Sequence, residues 1–170
     1  MTPVVVGIDP SISATGLALS DGSLMTVGGK PERGDERLLD IACAVGTAIS
    51  RADLAVLEDL PQHAHAAGIT GLESGVVRLM CLRASVPYVL LPPASLKKYA
   101  TGRGNATKGD MRMALFQRTG LDVRDDNQCD AIWLRFAGLQ KLGAPEVSLP
   151  VAQVRALDAV AWPDVLRGVA

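Results

Sequence analysis

Acidic residues stand at the ends of two apolar segments and at the start of a third, where carboxylates are costly unless something holds them. Asp9 closes the run VVVGID, and Glu58 with its neighbour Asp59 closes DLAVLED. The run DDNQCD, residues 125–130, opens a long helical pattern. Carboxylates gathered at strand ends repel one another unless a cation neutralises them, and oxygen ligands suit magnesium or manganese. These three positions therefore predict a divalent-metal site.

Helical geometry indicates which acids of the DDNQCD run lie on the same face of the helix. Asp126 and Asp130 are four residues apart and lie about 40° apart on the helix, while Asn127 and Asp130 lie about 60° apart. Asp125 points away from that face and suits the N-cap, with Gln128 as its capping-box partner. We therefore favour Asp126 and Asp130 as the ligand pair, with Asp125 as a structural acid.

Each acid also has a simpler explanation. Asp9 could begin a turn, since Asp-Pro-Ser is good turn chemistry. Strand alternation sends only one of Glu58 and Asp59 inward, and Asp126 could itself be the N-cap. Asp130 is the hardest to explain in this way, because it lies among apolar residues where an unpaired carboxylate is costly. The metal-site prediction therefore depends on all these acids occurring together, and not on any one of them.

Basic residues cluster in the middle of a chain whose formal net charge is −1. Between residues 78 and 118, eight Lys or Arg residues are accompanied by one acid, Asp110. The eight are Arg78, Arg83, Lys97, Lys98, Arg103, Lys108, Arg112 and Arg118. A localised basic segment on a near-neutral chain is typical of a phosphate-binding surface.

The elements that must position these residues follow from apolar periodicity. Short apolar runs predict strands, with tight turns joining the first three into an antiparallel meander. Helical spacing predicts the helices. The strands are expected in residues 3–9, 15–20, 24–29, 53–59 and 86–92, and the helices in 34–50, 70–84, 94–100, 110–120 and 126–143. Residues 101–110 are expected to form a glycine-rich loop. The order predicts an α/β fold with a mixed sheet of antiparallel and parallel parts.

A length of 170 residues fits a single domain. We expect a main domain in residues 1–143 and a C-terminal extension in 144–170, whose short helix packs on the same domain. No segment approaches the roughly 20 apolar residues that a membrane span needs, and no basic leader precedes the first strand. A cytoplasmic location is therefore expected.

Several motifs resemble the RuvC-type Holliday junction resolvases, which have the RNase H-like nuclease fold. The resemblance covers roughly residues 3 to 142. Its motifs, in family order, are GIDPSISATG, AVLED, the segment from ESGVV to KKYATG, the basic loop GRGNATKGDM and DDNQCDAIWL. The last two are more similar to phage-encoded relatives. The first motif alone would also fit an actin-like ATPase, whose two domains this chain has no room for.

The resemblance implies a metal-dependent endonuclease that hydrolyses phosphodiester bonds in branched DNA and resolves Holliday junctions by paired symmetric nicks. Asp9, Glu58 and Asp130 are then metal ligands, together with a residue on the preceding helical turn. The cellular enzymes carry Asp or His at that place, where this chain has Asn127. Asp126, one position earlier, could supply the missing carboxylate, and the Asn127 carbonyl could also bind magnesium.

Phosphodiester hydrolysis needs an activated water and help for the leaving 3′-oxygen. Two Mg²⁺ ions about 4 Å apart do both, and Mn²⁺ is expected to substitute. Asp9, at the centre, is the natural bridging ligand. Lys108 resembles a family lysine near the scissile phosphate, although it could equally be a solvated loop lysine that touches phosphate only. The residues expected to grip the DNA backbone are Lys97, Lys98, Arg103, Lys108 and Arg112.

A Holliday junction has two-fold symmetry, so paired cuts need a symmetric homodimer. The helix 70–84 is a candidate interface, although it could be core instead. Residues 60–68, with His63 and His65, could lie nearest the branch point or form a simple surface loop. Two other functions stay open: a broader debranching nuclease acting on flaps and three-way junctions, and a non-catalytic junction-binding protein, suggested by the absent acid at position 127.

Overall fold

A mixed sheet forms the centre of the fold. The computed structural model describes residues 2–11, 13–60 and 67–164. In these ranges the strands are β1 (Val5–Asp9), β2 (Thr15–Ala18), β3 (Leu24–Val27), β4 (Leu54–Glu58) and β5 (Tyr88–Leu91). They form one five-stranded sheet in the order β3-β2-β1-β4-β5. The pairs β1–β2 and β2–β3 are antiparallel, and β1–β4 and β4–β5 are parallel. The predicted RNase H-like architecture, with three antiparallel strands followed by parallel ones, is confirmed.

The strands occupy places that match their composition. All five residues of β1 are buried, as are all four residues of β2, because helices or other strands cover them on both faces. β3 has no fully buried residue, since its four side chains are exposed or partly exposed, and it forms an edge of the sheet. The carboxyl ends of β1 and β4 are adjacent, since Ile8 pairs with Leu57 in parallel register. This register places the next residues, Asp9 and Glu58, at the same edge of the sheet.

Helices cover both faces of the sheet. They are α1 (Glu36–Ile49), α2 (Ala67–Arg83), α3 (Pro93–Thr101), α4 (Lys108–Thr119), α5 (Asp126–Lys141) and α6 (Val151–Val154). One apolar cluster contains residues of α1 and α2, including Ile41, Val45 and Val77, packed with the sheet residues Val6 and Ile8. The other contains residues of α3, α4 and α5. In that second cluster α5 crosses β1 and β2, and this contact positions the helical acids.

The described part of the C-terminal extension packs against the second cluster. Leu157 is fully buried there, with Val147 and Val160 close to full burial. Trp162 donates a hydrogen bond from its indole nitrogen to the Leu157 carbonyl at 3.0 Å, and its ring lies under the Lys141 ammonium. This part of the chain contains the short helix α6. The division of the chain at residue 143 stays a prediction.

Among the described residues, no helix has both the length and the apolar character that crossing a membrane requires.

Candidate metal centre

Three carboxylates from separate parts of the chain converge at one edge of the sheet. Asp9 is the last residue of β1, Glu58 is the last residue of β4, and Asp130 lies in the second turn of α5. One carboxylate oxygen of each lies within 4.8 Å of the others. We call these three residues the acidic trio. Their spacing allows a metal ion to contact all three side chains.

A glycine allows the helix to bring Asp130 so close to the strand. Val5, Gly7 and Asp9 alternate onto the face of β1 that α5 covers. A Cβ atom at Gly7 would lie only 1.9 Å from the carbonyl oxygen of Ala131, the residue after Asp130. Any side chain at this position would therefore push α5 off the strand. The GID tripeptide supplies both the acid and the space for the second acid to approach it.

Burial makes the trio electrostatically unfavourable when all three groups are charged. Asp9 is only 7% exposed. Its pKa is raised to about 9, first by burial and then by the charges of Glu58 and Asp130. Burial also raises the pKa of Glu58, and burial followed by repulsion from Glu58 raises the pKa of Asp130 to about 7. A divalent cation would remove both penalties, so the donor set fits a metal with a preference for oxygen ligands.

Two lysines from different helices reduce this repulsion. Lys97 on α3 and Lys108 at the start of α4 both lower the pKa of Glu58 and of Asp130. Lys108 also lowers the pKa of Asp9. Both ammonium groups therefore act within electrostatic reach of the acidic trio, as expected for residues that would contact a phosphate bound beside a metal.

Lys108 belongs to a helix and not to the predicted loop. The glycine-rich segment was expected to continue to residue 110, but α4 begins at Lys108. The reason is a capping box: Thr107 accepts a hydrogen bond from the Asp110 amide at 3.1 Å, and Asp110 accepts one from the Thr107 amide at 2.8 Å. The cap fixes the backbone of Lys108 beside the acidic trio. Asp110 also pairs with Arg103 at 3.0 Å.

Asp126 lies next to the trio with basic partners of its own. Its Oδ2 is 3.2 Å from the Lys108 ammonium nitrogen, and its Oδ1 is 3.4 Å from Nε of Arg112. Among the described residues, the group of acids whose oxygens converge within 4.8 Å contains Asp9, Glu58 and Asp130 and does not include Asp126. The role of Asp126, or of Asn127, as a further ligand stays a prediction.

The hydrogen bonds at the N-terminus of α5 agree only in part with the prediction from the sequence. Asp125 is the N-cap: its Oδ1 accepts hydrogen bonds from the amides of Asn127 and Gln128 at 2.9 and 3.3 Å. The prediction of Gln128 as the capping-box partner is wrong. Its side chain instead donates to the hydroxyl of Thr26 on β3 at 2.8 Å, and that hydroxyl donates to Asp125 at 2.6 Å. The long-range partner Thr26 gave no signal in the sequence, because it lies 99 residues from Asp125 along the chain.

The other predicted DNA-binding residues lie around the same helices. Lys98 is exposed on α3, and Arg103 lies between α3 and α4. Arg112 follows Lys108 by one turn of α4, and this i, i+4 spacing was a visible signal that both side chains share a face. Residues 61–66, which include His63 and His65, lie outside the described residues, and Ala67 and Gly68 already belong to α2.

The sheet order and the three converging acids define the class of RNase H-like nucleases. Two curated relatives match over most of the chain, and both are named crossover junction endodeoxyribonuclease RuvC. The protein from Synechococcus is 27% identical over 150 residues, which are 79% of this chain and 96% of the relative. The protein from Rhodopirellula baltica is 30% identical over 131 residues, which are 69% of this chain and 74% of the relative.

Solved structures agree on the fold. A structure of Thermus thermophilus RuvC has a TM-score of 0.67 at 24% identity, covering 85% of this chain and 99% of that one. A structure of the same protein in complex with a Holliday junction substrate has a TM-score of 0.70 at 23% identity, covering 86% and 99%. No family model matches the sequence. The chain belongs to the RuvC family of crossover junction endodeoxyribonucleases.

Proposed function

We propose that this chain is a divalent-metal-dependent endodeoxyribonuclease that resolves Holliday junctions by paired symmetric nicks. The observation that carries the proposal is the acidic trio at the sheet edge, in a chain of the RuvC family. The RuvC structure of similar fold was solved with a Holliday junction substrate. Branched DNA is therefore the proposed substrate of this chain as well.

Asp9, Glu58 and Asp130 would hold the metal, which we propose to be two Mg²⁺ ions that Mn²⁺ can replace. When bound, such ions lower the pKa of a water and neutralise charge on the leaving oxygen. Asp9 is the most buried of the three acids, and the charges of both Glu58 and Asp130 act on it. We therefore propose that Asp9 would be the ligand shared by the two ions. Asp126 remains a candidate fourth ligand, with the Asn127 carbonyl as the alternative.

The basic residues would bind and orient the phosphates. Lys108 pairs with Asp126 at 3.2 Å and acts electrostatically on the acidic trio, so its ammonium group could neutralise charge on the scissile phosphate. Lys97 provides a second cation within electrostatic reach of Glu58 and Asp130. The residues proposed to grip the backbone farther along the DNA are Lys98, Arg103 and Arg112. Such contacts position the duplex without reading its sequence.

A homodimer would place two such sites on a two-fold junction, and α2 offers a surface for it. Leu72, Gly75, Leu79 and Leu82 follow one another at spacings of three and four residues, so they form a stripe on one face of the helix. All four are exposed, and the three leucines are each at least half exposed. Among the described residues, and apart from the backbone of α2 itself, no atom lies within 4 Å of a Cβ built on Gly75, so this part of the stripe has room for a partner. The buried side of α2 carries Val77 and Cys81.

The decisive experiment uses purified protein, a synthetic four-way junction, and Mg²⁺ or Mn²⁺. We expect nicks at symmetric positions in opposite strands and no cleavage by Asp9→Asn, which should still bind the junction. A wild-type protein that binds the junction but leaves it intact in both metals would contradict the proposal. A matched Y-form and a linear duplex complete the test, because equal cleavage of the Y-form would identify a broader debranching nuclease.

The proposed substrate also bears on location and source. Since cellular DNA of bacteria lies in the cytoplasm, we propose that the protein acts there. Two motifs are more similar to those of phage-encoded relatives, and a phage source of this protein stays a prediction.

A further inference from the structure

α4 carries a second, solvent-facing surface beside the metal centre. Gly109, Arg112, Met113 and Phe116 recur at spacings of three and four residues, so they form one stripe along the helix. The core-facing side of the same helix is provided by Met111 and is fully covered. The stripe is therefore outside the buried core that the described residues form.

Phe116 is in an unusual place for an aromatic residue of this protein. The chain has six aromatic residues, all within the described ranges. Tyr99, Trp133 and Phe136 form edge-to-face pairs in the core. Phe116, by contrast, is 51% exposed, and its neighbour Met113 is 57% exposed. The solvent contact of this apolar pair is an observation that packing does not explain.

The stripe forms one wall of a groove of about 400 Å³, which is within the usual size of sites for small ligands. The groove is lined by Gly109, Arg112, Met113, Phe116, Asp122 and Val123. Arg112 connects its two sides, since the guanidinium group donates a hydrogen bond to the Arg124 carbonyl at 3.2 Å. The groove is thus held between α4 and the segment that leads into α5.

This groove adjoins Asp126, the carboxylate beside the acidic trio. Its first residue, Gly109, follows Lys108, which contacts Asp126. Arg112 contacts the other oxygen of Asp126 and also lines the groove. Phe116 follows Lys108 by eight residues of α4, about 12 Å along the helix, so a DNA strand with a phosphate at Lys108 would place a nearby nucleotide of the same strand over the groove.

The charges around the groove suit a nucleic acid more than an apolar protein partner. Three cations, Lys108, Arg112 and Arg124, are present with two carboxylates, Asp122 and Asp126. A metal in the acidic trio would offset the negative charge of those three carboxylates. Aromatic faces flanked by basic groups bind unpaired bases, because every base offers a π-face and every nucleotide a phosphate.

We propose that the groove on α4 binds an unstacked base near the scissile phosphate, with Phe116 as the stacking platform. The proposal rests on the proposed function, because branched DNA is the substrate that offers unpaired or unstacked bases near the cut. A continuous duplex keeps its bases stacked and offers none.

The test measures binding without metal, so that cleavage does not interfere. Fluorescently labelled four-way junction and linear duplex are titrated with wild type and with Phe116→Ala, Phe116→Leu and Phe116→Tyr. Loss of a stacked base should weaken junction binding about tenfold in the Ala and Leu variants, while Tyr keeps wild-type affinity. Duplex binding should be the same in all four proteins. Leu39→Ala, at an exposed leucine on α1, is the matched control and should change neither.

Three results would overturn the proposal: a Leu variant that binds junctions like wild type, an equal loss on junction and duplex, or a change of oligomeric state in Phe116→Ala by sedimentation. The last would show that a second copy covers the groove. Wild-type cleavage with Mg²⁺ is measured separately. If wild type cleaves junctions but the Phe116 variants bind them like wild type, only the inference about the groove is wrong. If junction affinity depends on Phe116 but wild type does not cleave, only the proposed nuclease activity is wrong.

Discussion

Asp9, Glu58 and Asp130 hold protons more tightly than free carboxyl groups do, because burial and mutual repulsion raise their pKa values. In the unfolded chain an Asp side chain titrates near about 3.9. Between that value and the raised values of about 7 and about 9 for Asp130 and Asp9, the folded state binds more protons than the unfolded state. The free energy of unfolding then falls as pH rises.

We therefore predict that metal-free protein loses stability steadily from about pH 4 to about pH 9. Added Mg²⁺ or Mn²⁺ should stabilise it most at the upper end of that range, where the carboxylates are ionised and unpaired. Thermal unfolding in EDTA and in metal, followed at several pH values, checks this. Asp9→Asn removes one of the three charges, so its EDTA profile should be flatter. An EDTA profile as flat in wild type as in the variant would contradict the prediction.

The contacts of Asp126 lead to a second prediction at this scale. Its carboxylate lies 3.2 Å from Lys108, so we expect part of its effect on cleavage to act through that lysine. Single-turnover rates of Asp126→Asn, Lys108→Ala and the double variant form a thermodynamic cycle. We expect each single variant to lose at least about tenfold in rate, and the double variant to lose clearly less than the product of the two.

The opposite result has a distinct meaning. If the two losses multiply, and Asp126→Asn also raises the metal concentration needed for half-maximal rate, then Asp126 acts as a metal ligand independently of Lys108. Asn127→Ala is the companion variant, because a metal requirement that changes there would assign the fourth ligand to the Asn127 carbonyl.

At the scale of elements, the contact between β1 and α5 decides whether the site forms. A methyl group at Gly7 would overlap the backbone of Ala131 and Arg135, at 1.9 and 2.6 Å from their nearest atoms. Backbone cannot move aside as a flexible side chain can. We predict that Gly7→Ala destabilises the fold by about 3 kcal/mol or more, and abolishes cleavage because Asp130 moves away from Asp9.

Chemical denaturation and the cleavage assay measure these effects. Gly109→Ala is the matched control for the denaturation measurement, since its added methyl would meet only the Thr107 hydroxyl at an ordinary 3.7 Å. In that helical position alanine should be neutral or stabilise by up to about 1 kcal/mol. Equal stabilities for the two variants would mean that the close approach of α5 to β1 is not required.

At the scale of the whole molecule, the exposed leucine stripe on α2 predicts the assembly. Leu79→Glu places a charge in the middle of the proposed interface, so we expect a monomer in sedimentation velocity with unchanged helical content. The monomer should then nick one strand of the junction at a time and should not cut the two opposite strands together. Leu39→Glu introduces the same charge at an exposed leucine of α1, and it should leave the dimer intact. A Leu79→Glu protein that remains dimeric would place the interface elsewhere.

Much of this architecture was predictable because it depends on local sequence. The apolar run before Asp9 and the run before Glu58 are short, buried strands, and periodicity finds such strands well. The Asp125 cap also follows from local chemistry, since its partners are two and three residues away. The start of α4 was missed although its Thr107–Asp110 capping box is local, because the surrounding glycines suggested a loop.

Other features depend on contacts that no short segment contains. The bond of Gln128 to Thr26, the pairing of Asp126 with Lys108 and the exposure of Phe116 all arise where different elements meet. Helical angles placed Asp126 and Asp130 on one face, but they could not tell which would face the strand acids and which the neighbouring helix.

The sequence by itself determined which residues could bind a metal and in which strands and helices they lie, because residue type and periodicity are local properties. Only the tertiary structure decided that Asp9, Glu58 and Asp130 meet within 4.8 Å while Asp126 turns to Lys108 and Arg112. The physical reason is the packing of α5 on β1 across Gly7: the distance between backbones that are far apart in the chain is fixed by three-dimensional contact, and that distance selects which carboxylates converge.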